Sequence, residues 1–250
     1  MPVLLRKFGP LFTLLLCFMP GAFAQADDQE PDFLFEPPRG SAGVRFGANF
    51  PRANAEIFDF MTDQLTLETK DFRAATIGGE VAFAVHPRLD IVVDVAYIRR
   101  TAPSEVRDFV DEDDNPILQE TRLTQVPLTG SARFYLIPKG EALGSHAWVP
   151  ARLAPYVGAG GGATWYKLLQ TGEFVDEETL AIFGDDFVSS GWSPVFLAYG
   201  GLEINISKWL FADFQVRYSW ADADLGGDFR GFEPIDLAGL RATGGFHVRY

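Results

Sequence analysis

The stretch Ile235 to Tyr250, IDLAGLRATGGFHVRY, decides the fold. Taken with period two, it places Ala238, Leu240, Ala242, Gly244, Phe246, Val248 and Tyr250 on one face of a strand, and Gly239, Arg241, Thr243, Gly245, His247 and Arg249 on the other. One face carries no charge; the other carries two arginines and a histidine. A strand with so apolar an outer face needs something apolar outside it, and lipid is the obvious candidate.

The same division recurs upstream. Val44, Phe46, Ala48 and Phe50 alternate with Arg45, Gly47 and Asn49; Ile77, Gly79, Val81, Phe83 and Val85 with Gly78, Glu80 and Ala82; Ile91, Val93, Val95 and Tyr97 with Asp90, Val92 and Asp94. Three further strands follow near 125–136, 156–166 and 196–206, and Leu210 to Trp220 alternates most cleanly, with Phe214 and Val216 against Asp213, Gln215 and Arg217. With the last stretch this makes eight. Short connections alternate with long ones, which predicts an all-β, single antiparallel up-and-down transmembrane barrel over 41–250, with its long loops on one rim. Pro127, which has no N–H for the ladder, is expected at a bulge or above the membrane.

No Asp, Glu, Lys or Arg falls on the outer face of these strands, and aromatic residues cluster near strand ends, as in interfacial girdles. The inner face is balanced: Arg45, Arg133, Arg217, Arg241 and Arg249 stand against Glu80, Asp90, Asp94, Glu203 and Asp213. A closed lumen requires such balance, because an unpaired buried charge is expensive. The expectation is a set of ion pairs filling the lumen, either as a structural plug or as the gate of a narrow pore. Gly158, Gly160 and Gly162 are expected to leave room for long arginines opposite, or to let their strand bend.

Met1 to Ala24 reads as a cleaved signal peptide: Arg6 and Lys7, an apolar run from Phe8 to Met19, the Pro20-Gly21 break, and Ala22-Phe23-Ala24 before the cut. The run is shorter than the roughly 20 residues of a membrane helix. Cys17, the one cysteine, lies within it, and Leu16 stands where lipoprotein processing needs a small residue. Residues 25–40 are polar and proline-rich, and read as a flexible periplasmic lead-in. Without the two basic residues of the signal, the net charge moves from -13 to -15, which disfavours nucleic acid as a partner.

These features together resemble the small outer-membrane β-barrels of Gram-negative bacteria, the OmpA-like, OmpX-like and OmpW-like group. The resemblance implies an outer-membrane location, surroundings of membrane lipid and lipopolysaccharide, and a terminal strand read by the barrel-assembly machinery, whose aromatic spacing Phe246, Val248 and Tyr250 match. It implies no cofactor. Nothing after Tyr250 in this sequence corresponds to the peptidoglycan-binding domain of some members.

The long connections are acidic. Residues 51–71, 101–121, 170–192 and 221–236 hold 23 acidic residues against four basic ones, densest at Asp111, Glu112, Asp113 and Asp114. This reads as a solvated, repelling surface, or as a place where divalent cations bridge carboxylates to lipopolysaccharide. For catalysis there is little: His86, His146 and His247 are scattered, none two residues from a serine on one strand face, and no cysteine joins them to make a zinc site. The expected function is therefore non-enzymatic, structural or surface-interacting. A narrow pore for small or apolar solutes is the alternative, and an outer-leaflet lipid-modifying enzyme a weaker one.

Overall fold

The structure is a computed structural model that describes residues 34–111, 113–144, 147–176, 179 and 181–250. The signal segment with Cys17, most of the lead-in, Glu112 and His146 lie outside them. Eight strands close into one antiparallel barrel: β1 (Gly40–Pro51), β2 (Ala74–His86), β3 (Leu89–Val110), β4 (Pro116–Tyr135), β5 (Leu153–Val175), β6 (Ile182–Asn205), β7 (Leu210–Trp220) and β8 (Gly239–Arg249). Each pairs with its neighbours in sequence, and β8 pairs with β1 from Ser41↔Arg249 to Pro51↔Gly239, so the ring closes, while β3 beyond Arg99 and β6 before Phe196 rise above it with a barrel strand on one side only. Among the described residues, no helix is long and apolar enough to cross a membrane.

The alternation sets inside and outside. Val44, Phe46, Ile77, Phe83, Val93, Leu128, Phe196, Phe214, Phe246 and Val248 are exposed, and together they form an apolar outer belt. Phe50, Trp209, Trp220 and Tyr250 are exposed at or beside strand ends, whereas the exposed Tyr97 falls in mid-strand because β3 runs on to Val110. The belt begins later on β8 than the sequence suggested, because Ala238 is buried and Ile235–Asp236 leaves the barrel to pair with Asp222–Ala223. Pro127 produces no bulge: Val95↔Leu128 and Ile98↔Gln125 keep one register on either side of it, and only the bonds between them are missing. A lumen-facing proline interrupts the ladder locally without displacing it.

Two of the four long loops are strand instead. β3 and β4 continue to the pair Val110↔Pro116, and β5 and β6 to Val175↔Ile182. At 22 to 24 residues, β3, β5 and β6 far exceed the roughly 9–11 that cross a bilayer. Above the membrane water solvates the outer face, so the apolar signal of the sequence fades there while backbone pairing continues.

The first loop holds a helix, α1 (Glu56–Gln64), whose Ile57, Phe58 and Met61 are buried. They pack with Phe72, Leu123, Tyr166, Leu168 and Leu237 into an apolar plug that fills the upper lumen. Arg107 closes the helix from β3 by donating to the carbonyls of Leu65 at 2.7 Å and Thr62 at 3.3 Å. Asp236 ties the base of the loop by accepting from Arg52 Nε at 2.7 Å and the Asn54 N–H at 3.2 Å. At the opposite rim, Gly140–Ala142 pairs with Trp148–Pro150, and Leu34 of the lead-in bridges to Trp148 through bonds of 2.9 and 2.7 Å. The described end of the lead-in is thus docked against the barrel.

Candidate functional site

All ten lumen charges singled out from the sequence are buried. Glu80 stands between two arginines, with Oε2 2.5 Å from Arg45 Nη1 and Oε1 2.6 Å from Arg133 Nη2. Arg45 also reaches Asp213 at 2.8 Å, and Arg133 approaches Glu203 at 3.6 Å. Arg217 Nη1 donates to Asp94 Oδ1 at 2.6 Å, while Arg241 comes no nearer to the same atom than 3.9 Å. Arg249 bonds to Glu203 at 3.3 Å. Asp90 pairs with none of the five arginines: its partner is Lys139, 2.5 Å away in the connection after β4. Sequence reasoning missed Lys139 because a residue outside a strand has no assignable face.

Tyrosines complete this network. Tyr156 donates to Asp213 at 2.5 Å, and the Tyr135 hydroxyl lies 2.5 Å from Glu203 and 2.9 Å from Asp90. The Arg133 guanidinium stacks over Tyr156 at 4.5 Å and lies 6.0 Å from Tyr199. Of the three glycines singled out, only Gly158 makes room for a side chain, and it is a ring rather than an arginine: a Cβ there would lie 2.3 Å from Tyr199 Cζ. Cβ atoms on Gly160 and Gly162 would instead meet the β4 carbonyls of Gly130 at 2.2 Å and Leu128 at 2.1 Å. Gly201, not singled out, likewise makes room for Tyr156, with a Cβ 2.3 Å from its Cζ. His247, on the inner face, is stacked on Phe211 at 5.1 Å, and its ring nitrogens have no hydrogen-bond partner among the described residues. Of the other histidines, His86 lies in the exposed β2–β3 turn, where its Nδ1 accepts from Arg88 N–H at 3.2 Å.

The long-loop end holds a cavity of about 420 Å³. Its wall is a chain of phenylalanine rings: Phe174 meets Phe187 at 4.4 Å, Phe187 meets Phe229 at 6.4 Å, Phe229 meets Phe232 at 6.5 Å, and Phe232 meets Phe60 at 5.5 Å. Gln119 and Gln170 line it too, joined by a 2.6 Å bond between their amides. All five of those phenylalanines lie in segments that the sequence marked only as acidic loops, so their convergence had no local signal. Asp111 accepts from the N–H groups of Asp113 and Asn115 at 2.9 and 2.7 Å and from Asn115 Nδ2 at 3.0 Å. Among the described residues no three carboxylates or histidines are grouped to hold a metal.

A closed ring of eight antiparallel strands, apolar outside and filled with ion pairs within, defines a transmembrane β-barrel. No protein-family model matches the sequence, and no curated protein matches it. Among solved structures the chain is similar to the outer membrane protein OprG from Pseudomonas aeruginosa, at 12% identity over 87% of this chain and 99% of that one, with a TM-score of 0.49. It is also similar to Neisserial surface protein A (11%, covering 84% and 96%, TM-score 0.45) and to Ail, the attachment invasion locus protein of Yersinia pestis (11%, covering 84% and 99%, TM-score 0.42).

Proposed function

We propose that this protein is a non-enzymatic component of the outer membrane of a Gram-negative bacterium, sealed through its lumen and acting at the cell surface through its loops. The observation that carries this reading is the Arg217–Asp94 contact, which runs from wall to wall beneath the apolar plug. Lipid and lipopolysaccharide surround the apolar belt, and the barrel-assembly machinery reads Phe246, Val248 and Tyr250 on the exposed face of the last strand. Divalent cations act at the acidic loops as screening counter-ions. Purified protein in a planar bilayer is expected to pass no steady current; a stable single-channel conductance would replace this reading with the pore.

The phenylalanine-lined cavity favours a second, compatible role: capture of a small apolar molecule from the medium. Its size falls within the roughly 300–1,000 Å³ of small-molecule sites. The acidic loops around it repel anions, so the ligand is neutral or cationic rather than a carboxylate. A neutral naphthyl dye is expected to bind nanodisc-embedded protein saturably, and Phe187→Asp to abolish the binding. Equal binding to empty nanodiscs and to the protein would remove this role.

A further inference from the structure

The lumen charges do not close. Among the described residues of the ion-pair network, six cations, the five arginines and Lys139, face five carboxylates, and the surplus falls at Arg241. On β8 Arg241 stands in register with Arg217 of β7, a like-charge pair, and with the neutral Asn49 of β1. Asp94 is the carboxylate the two arginines share, and it is committed to Arg217 at 2.6 Å; Arg241 Nη2 lies 3.9 Å from it, beyond hydrogen-bonding distance. Arg241 is only 8% exposed. A guanidinium so buried and so poorly paired is costly unless another charge compensates it.

Beside Arg241 lies a void of about 20 Å³. Its polar lining includes Asn49, Gln125, Thr129, Thr164 and Ser219, and no carboxylate. The Thr164 hydroxyl is buried without a hydrogen-bond partner. Guanidinium, side-chain amides and an unused hydroxyl around a space of this size can all donate to one occupant. The space suits something about as large as a water molecule, for which about 10–15 Å³ suffices, and is too small for sulfate or phosphate.

We propose that this void is a binding site for a monatomic anion, a halide such as chloride, which completes the charge balance of the plug. Water would satisfy the donors but leave the surplus charge. The inference concerns the network's composition, so it is read from unfolding and diffraction rather than from conductance, and a leaky native barrel would leave it standing.

The test is thermal unfolding of detergent-solubilised protein in sodium chloride or sodium gluconate at equal ionic strength. Chloride is expected to raise the midpoint saturably, by roughly 3–6 °C at ten times its dissociation constant, with bromide replacing it. Arg241→Gln should lose this difference, and Arg88→Gln, at an exposed turn, should keep it. Equal midpoints for the native protein in chloride and gluconate would overturn the proposal. Should Arg241→Gln fail to fold, anomalous diffraction from native crystals grown in bromide decides: a peak beside Arg241 supports the site, and none there rejects it.

Discussion

Arg217 on β7 and Asp94 on β3 stand four strands apart in a ring of eight, so their 2.6 Å contact crosses the full width of the lumen. An ion pair between neighbouring strands would only line the wall; this one obstructs the passage. Arg217→Ala removes the crossing and leaves Asp94 buried with Arg241 at 3.9 Å as its nearest cation. Breaking one partner of a buried pair typically costs about 3–5 kcal/mol. The variant should therefore unfold at lower urea than the native barrel and, alone of the two, conduct in a planar bilayer. Adding Asp94→Ala should recover part of the lost stability while conductance persists. A variant that unfolds like the native protein and stays silent would mean that the pair neither seals nor stabilises.

Phe214 lies midway along β7, exposed on the apolar belt, with the neutral Gln215 and the buried Arg217 on the opposite face. Placing a cation at this depth in a lipid-facing wall costs about 2–4 kcal/mol. Phe214→Arg is expected to lower the unfolding free energy in lipid vesicles by that amount, and Phe214→Leu to change it little. Equal effects of the two substitutions would put this face in water and turn the barrel inside out.

The Tyr199 ring occupies the space that the missing side chain of Gly158 leaves, with Tyr199 Oη 2.8 Å from Ser131 Oγ and the ring 5.3 Å from the Arg217 guanidinium. Gly158→Val would displace that ring into the ion-pair layer. Overpacking of this kind costs typically about 1–3 kcal/mol. Adding Tyr199→Ala should relieve most of it, and a double-mutant cycle of unfolding free energies measures the coupling. Additive effects would show that the ring and the glycine do not compete.

Which charges share the lumen was legible in the sequence because strand alternation has a period of two, and Arg45, Glu80 and Arg217 each fall an even number of residues from other inward positions. Which charges pair was not. Asp94 and Arg217 are 123 residues apart, and their meeting depends on ring closure and register, which no local pattern encodes. Lys139 lies in a connection, where no face can be assigned, so the expected five-against-five balance missed the sixth cation. The apolar plug was hidden for a different reason: Ile57, Phe58 and Met61 have helical spacing, but α1 is only nine residues long and sits in an acidic stretch that reads as solvated loop. The barrel wall follows from local alternation, and its contents from long-range geometry.

The Asp111 carboxylate, in the short β3–β4 hairpin, accepts the side-chain amide of Asn115 at 3.0 Å and its backbone N–H at 2.7 Å. Those bonds hold its pKa below the ordinary 3.8, the side-chain bond contributing most. A carboxylate whose pKa is depressed on folding stabilises the fold above its unfolded pKa, and loses that contribution as pH falls through the folded value. The hairpin tip should therefore stay ordered as pH drops past 3.8 and loosen only at lower pH. Following the Asn115 side-chain amide by NMR should give a midpoint below that of an unstructured aspartate. In Asn115→Ala the Asp111 carboxyl, followed directly, should move back toward the ordinary value. A native midpoint at the ordinary value would mean that Asp111 does not hold the turn, and the acidic tip would then be free to recruit cations.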